Sequence, residues 1–174
     1  MGLKETFAAI SRLDAPEAGE LLLAALNESH EGVQSRAAAG LIERRFDALF
    51  PQLCRKFTSL SPAARSAALE KRWILLPIAK SHMGYGTLEA KRSVCEIIPF
   101  LNEAEGASVL AAGFHDPSDE IRALARDAFV AVMRKFTATL HAFPEFGGEE
   151  KARYHEEVVP SVIDAMGEAV ANYD

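Results

Sequence analysis

The sequence predicts an all-α fold of about four consecutive helix pairs, with a lead helix before them and one more helix after them. Three observations carry this expectation. Alanine is abundant and β-branched runs are scarce, which favours helix over strand. Apolar residues recur at spacings of three and four along most of the 174-residue chain. The stretch from Leu22 to Arg44 also repeats, nearly position for position, the stretch from Val109 to Arg134. With 49% hydrophobic residues, the chain carries enough apolar material for one domain with a continuous core.

Each element has its own local signal. Leu3, Phe7, Ile10 and Leu13 lie at helical spacing and define an amphipathic lead helix within residues 1–15. Asp14 and Pro16 stop it and start the next, since proline is tolerated in a first helical turn. That helix, 16–27, ends in the polar run Asn27 to Gly32, and its partner reaches about Phe46. Residues 47–59 form the next helix, with Leu49, Phe50, Leu53 and Phe57 on one face. Ser61-Pro62 is a cap followed by proline and opens another, which divides near Arg72. Pro77 must kink or break the helical stretch beyond that division, because it lacks an N–H and clashes with the preceding turn. Gly84 to Gly86 interrupts the chain before a helix over 87–101. Asn102 leads into a helix ending at Phe114, and Asp116-Pro117 caps a last repeat helix to about Leu140. The segment 141–174 is a Pro/Gly loop and an acidic capping helix over about 149–172, kinked at Pro160.

Residues 16–140 therefore divide into four units. In the second helices Val33, Ala64, Ala90 and Ile121 form one column, and Ala37, Ala68, Val94 and Ala125 the next. In the first helices Leu22, Leu53, Ala79 and Leu110 align, as do Leu26, Phe57, Met83 and Phe114. Small residues in a column let helices approach, while large ones fill the space between layers. A period near 30 residues is that of a helix pair that buries its apolar face only against a neighbouring pair.

The spacing of Leu22, Leu26, Val33, Ala37 and Leu41, and of Leu110, Phe114, Asp116-Pro117, Ile121-Arg122, Ala125 and Phe129, resembles HEAT repeats. The short period is most similar to the HEAT-like variety of phycobilisome lyases. The resemblance implies a right-handed α-α superhelix, a HEAT/armadillo-like solenoid. It also implies a ladder between repeats, in which a turn acid meets a basic residue early in the second helix. The basic column here reads Gln34, Arg65, Lys91 and Arg122, with the turn acid at Asp116 or Asp119. Arg65, Lys91, Arg122 and Asp116 are accordingly expected to be structural ladder residues rather than a phosphate-binding stripe.

Candidate contact residues lie on the outer side of the second helices. The column Ala39, Glu70, Glu96 and Asp127 is exposed there, and Arg92 lies on the same side. Trp73, the only tryptophan, reads first as a core or inter-repeat residue and second as a binding anchor, since aromatic anchors dominate hot spots. Trp73, Arg92, Glu96 and Asp127 are the residues expected to touch a partner. The His-Glu pairs at His30 and His155 invite a metal test. HEAT-repeat di-iron hydroxylases carry such pairs inside second helices, where this chain has Ser35-Arg36, Ser66-Ala67, Arg92-Ser93 and Ala123-Leu124. No metal site and no cofactor are expected. Cys54 and Cys95 sit among apolar neighbours and read as buried thiols of a reducing cytoplasm.

The charge is unevenly placed. Of a net −6, all resides in residues 137–174, where eight acids face Lys151 and Arg153. A neutral body with an acidic end argues against sequence-independent nucleic-acid binding, which needs a basic surface. No stretch approaches a membrane span, and no secretory signal is evident. The expected function is a non-catalytic cytoplasmic scaffold that binds a protein or peptide on its repeat surface, alone or as part of a larger chain or complex. The alternative that the resemblance implies is a bilin lyase-like or other ligand-handling enzyme subunit.

Overall fold

A computed structural model describes residues 2–44, 49–101, 106–141, 148, 152, 156 and 158–171. Among these every regular element is helical. In chain order they are α1 (Leu3–Arg12), α2 (Pro16–Ala25), α3 (Glu31–Glu43), α4 (Phe50–Phe57), α5 (Pro62–Leu69), α6 (Arg72–Tyr85), α7 (Leu88–Leu101), α8 (Gly106–Ala112), α9 (Asp119–His141) and α10 (Val159–Ala171). The all-α class read from the sequence is what the structure has. The loop expected over 141–148 and the start of the final helix fall almost wholly outside the described residues.

The element boundaries differ from the expectation where proline or a turn intervenes. α6 runs through Pro77 without a break, and α7 runs through Pro99 to Leu101. A lone proline removes one donor, and a helix held by its buried side chains tolerates that loss. Pro160 stands in the first turn of α10, where proline is tolerated. α8 ends at Ala112, and a 3-10 turn, Gly113–His115, carries Phe114. Gly113 is required at that tightening: a Cβ there would stand 2.8 Å from the Ala125 Cβ and 3.0 Å from the Met83 sulfur.

The chain forms two compact units, Met1–Ile78 and Ala79–Asp174, and α6 contributes residues to both. In the first unit α2 packs on α3, α3 packs on α5, and α1 lies against α3. Arg44, at the end of α3, ties down the start of the chain by donating to the carbonyls of Ile10 (2.9 Å), Leu13 and Ala15 (2.9 Å). Lys71 bridges to Glu43 at 2.8 Å, while Gln34 meets Ser61 near the other end, so α3 and α5 run parallel. In the second unit α7 packs on α9, α8 on α9, and α10 on α8. The phenyl rings of Phe114 and Phe129 meet edge to face at 5.4 Å.

Both units bury the same columns. Ala37, Ala68, Val94 and Ala125 have no exposed surface at all. Leu22, Leu53, Ala79 and Leu110 are buried, as are Leu26, Phe57, Met83 and Phe114. Each large member contributes about 1.5–3 kcal/mol by leaving water. Val33 alone among the sixteen named column residues is only half-buried.

Candidate functional site

The basic column forms a ladder at the turns, with different chemistry in each unit. In the first unit the Gln34 amide donates to the Leu26 carbonyl (3.2 Å) and accepts the Ser61 backbone N–H (3.1 Å). Fifty-seven residues further on, Lys91 takes the place of Gln34 and Ser118 that of Ser61. There the two no longer touch directly. Asp116 stands between them, with one carboxylate oxygen 2.5 Å from the Lys91 ammonium and the other accepting the Ser118 N–H at 2.9 Å. An aspartate that bonds a backbone N–H two residues on makes an Asx turn, and this one opens α9.

Arg122 holds the same turn from below. It donates to the Asp116 carbonyl (2.7 Å) and the Pro117 carbonyl (3.2 Å), and it pairs with Asp119. Burial pushes the Asp116 carboxyl up, but the Lys91 and Ser118 hydrogen bonds and the nearby positive charges outweigh it, and the net shift is downward. Lys91, Arg122 and Asp116 are thus brought together. Arg65 is not among them: its side chain is half-buried and makes no hydrogen bond or ion pair among the described residues. Gln34, the one uncharged member of the column, is the ladder residue that charge-based reading undervalues.

Arg92, Glu96 and Asp127 lie on one face of the α7–α9 pair. Arg92 forms a two-pronged bridge to Glu120, with both N–O distances 2.6 Å, so the two side chains cross between the helices. That hydrogen bond holds the Glu120 carboxyl below the usual range. Glu96 stands one turn beyond Arg92 and Asp127 two turns beyond Glu120, both exposed. About two turns beyond Asp127, Lys135 lies 5.9 Å from the centre of the Phe100 ring and donates to the Pro99 carbonyl at 2.5 Å. Pairing Arg92 with Glu120 at one end and Lys135 with Pro99 at the other shows that α7 and α9 run parallel. The sequence pattern of Glu120 does not single it out. Its distance of 28 residues from Arg92, close to the repeat period, is the signal that finds it.

Trp73 is 62% exposed at the start of α6, so it is not the core residue first expected. It belongs to the first unit, and Arg92, Glu96 and Asp127 to the second. Neighbouring Ile74 and Leu75 take the buried positions instead.

The remaining chemistry-bearing groups have structural roles. The His30 ring accepts the Gly32 N–H at 3.1 Å and caps α3. Cys54 and Cys95 are buried free thiols, and burial pushes the Cys95 thiol up to about 12. Among the described residues no three His, Cys, Asp or Glu side chains are placed to hold a metal ion. None of the described helices is long and apolar enough to cross a membrane. A cavity of about 10 Å³ in the first unit, lined by Leu41, Phe50, Leu53 and Leu75 among others, has room for about one water and no polar side chain to bind one.

Comparison with protein-family models, with curated proteins and with solved structures finds no match to this chain.

Proposed function

We propose that this protein is a non-catalytic interaction scaffold, a short right-handed stack of HEAT-like helix pairs that docks a protein or peptide on its exposed helix faces. The observation that carries the reading is the open indole of Trp73, 62% exposed in a chain with no other tryptophan. A large rigid aromatic ring left in water is an anchor that a partner's pocket covers, and such rings dominate binding energy at interfaces. Two features support the repeat architecture. The second helices run parallel in pairs, α3 with α5 and α7 with α9, as stacked helix pairs do. The ladder residues Gln34 and Lys91 each reach the turn that opens the next second helix. Glu96 and Asp127 add exposed carboxylates on the α7–α9 face, which suits a partner with basic groups opposite them.

The test is capture of the tagged protein with its partners from the native cell, repeated with Trp73→Ala. A stoichiometric protein partner that the variant loses, with helix content unchanged by circular dichroism, is the expected result. With the partner in hand, the single tryptophan reports directly, and its emission shifts to the blue as the ring is covered. A captured partner that binds Trp73→Ala equally well would remove Trp73 from the interface. A co-purifying small molecule with no protein partner would sink the scaffold reading.

A further inference from the structure

Among the described helices α1 alone buries no side chain. Its Phe7 and Ile10 are half-buried, and Leu3 and Leu13 are 49% and 56% exposed. A helix of 10 residues is too short to hold together in water unaided, so α1 keeps its shape only while it is seated. The seat is nevertheless a close one. Gly40 stands inside α3, where glycine weakens a helix, and a Cβ there would come 2.5 Å from the Ser11 hydroxyl oxygen of α1. That hydroxyl is itself engaged, donating to the Phe7 carbonyl at 2.8 Å. Thus α3 gives up helix stability at Gly40 to let α1 approach, although α1 returns no buried side chain to the core.

The two ends of α1 are held in different ways. At the first, the Gly2 N–H donates to the Glu5 carboxylate at 3.0 Å, a cap that α1 carries with it. At the last, Arg44 donates to the carbonyls of Ile10, Leu13 and Ala15, so one side chain from the end of α3 closes the contact. The deeply buried side chains of this unit, Leu22, Ala37, Phe57 and Ala68 among them, lie on α2 to α5. Lifting α1 therefore leaves their packing in place and bares the α3 edge at Gly40 and Arg44. We infer that α1 is a releasable strap, and that the α3 edge beneath it is a docking site for an amphipathic helix of a partner protein that takes its place. The seated α1 shows the chemistry of that occupant: apolar residues at the spacing of Leu3, Phe7 and Ile10, a small residue over Gly40, and a helix end whose open carbonyls meet Arg44. While α1 is docked the site is closed, and a partner helix opens it by competing. The site makes no use of Trp73, so it stands or falls apart from that surface.

The experiment uses the full chain and, as probe, a fluorescein-labelled peptide with the sequence of residues 2–15. Amide hydrogen exchange on the unaltered chain is expected to be at least about a hundredfold faster along α1 than along α3. Fluorescence anisotropy is expected to show saturable binding of the peptide, and binding at least about tenfold weaker when the peptide carries Phe7→Ser with Ile10→Ser. Excess unlabelled peptide is expected to speed exchange of the chain's own α1 further, because the two compete for one seat. In the full chain Arg44→Ala is expected to speed α1 exchange about tenfold with α5 unchanged, and Arg44→Lys to restore part of it. Should the Arg44 variants misfold by circular dichroism, the unaltered chain still decides the matter: a peptide with a diazirine leucine at Leu13 must crosslink to α3 or to Arg44. Fast exchange of α1 without peptide binding would mean simple fraying and would overturn the proposal. So would exchange of α1 as slow as that of α3, equal binding of both peptides, or crosslinking elsewhere. A dimer in sedimentation that Phe7→Ser dissolves would also overturn it, since α1 of a second copy would then be the occupant.

Discussion

Removing the Asp116 side chain is the perturbation that most directly tests how the second unit is held together. Asp116→Ala leaves two groups without their partner: the Lys91 ammonium, whose side chain is 16% exposed, and the Ser118 N–H at the start of α9. Breaking a fully buried pair costs about 3–5 kcal/mol because one charge is left stranded. Lys91 has a long flexible stem and some contact with water, so part of that cost is relieved, while the lost Asx turn adds about 1 kcal/mol. The expected loss is about 2–3 kcal/mol. At a urea slope of about 2 kcal/mol/M this lowers the midpoint by about 1–1.5 M. Because the chain has two compact units, amide hydrogen exchange along α7 and α9 is the better reporter, as it reads the second unit directly. A midpoint within about 0.25 M of the parent, with exchange on α9 unchanged, would refute the ladder as a source of stability.

The same pair predicts a pH dependence of known sign. The Asp116 carboxyl is held below its ordinary value in the folded chain, so the folded state binds its proton less readily than the unfolded one. Its stabilisation is fully present above the unfolded carboxylate value, about 3.9, and is lost as pH falls through the lower folded value. Stability of the second unit is therefore expected to fall on acidification below about pH 4, and Asp116→Asn should flatten that part of the profile. A variant that kept the parent's full acid slope would show that other carboxylates are responsible.

Four further outcomes are expected. Trp73→Ala should shift stability by less than about 0.5 kcal/mol, checked by urea unfolding, because the ring buries little against its own chain. Arg92→Ala should leave the unfolding midpoint where it was, since its bridge to Glu120 lies in solvent and such pairs contribute little. Gly113→Ala should destabilise by about 1–3 kcal/mol, as its Cβ would meet Ala125 at 2.8 Å, and thermal unfolding would read this. Native chain at pH 8 should react slowly with a thiol reagent at Cys95, whose thiol burial keeps protonated to about 12, whereas denaturant should release both cysteines at once.

The columns of the core were legible because burial in a helix pair leaves a periodic trace. Alanine or valine at residues 37, 68, 94 and 125 is a pattern that only close helix approach explains, and those four side chains are fully buried. The rest was legible in proportion to how local its cause is. Ser61 announces the start of α5 through its own side chain, which accepts the Ala64 N–H. The fate of Pro77 depends instead on whether neighbouring packing offsets one lost donor, and no nearby residue states that. Trp73 was misplaced for a related reason. In the repeat alignment it falls with Ile42, Pro99 and Val130, and of these Ile42 is buried while Val130 is exposed, so the column does not define a face.

The two ladders show how one geometric need is met by different residues, and why charge alone was a poor guide to it. The need is a backbone one: the first N–H of an incoming second helix has no helical acceptor and must find one. In the first unit the Gln34 oxygen reaches Ser61 unaided, and its amide donor is occupied by the Leu26 carbonyl. A lysine at the corresponding place has only donors and cannot accept an N–H. The second unit therefore needs an acceptor between Lys91 and Ser118, and Asp116 supplies one oxygen to each. Glutamine with no acid, or lysine with an acid, are both complete solutions, while lysine with no acid is not. Lys91→Gln with Asp116→Ala should therefore retain more stability than Asp116→Ala alone, because the amide relieves the stranded charge and offers Ser118 an acceptor. Equal unfolding midpoints for the two variants would show that the acceptor at the helix start is not what the ladder provides.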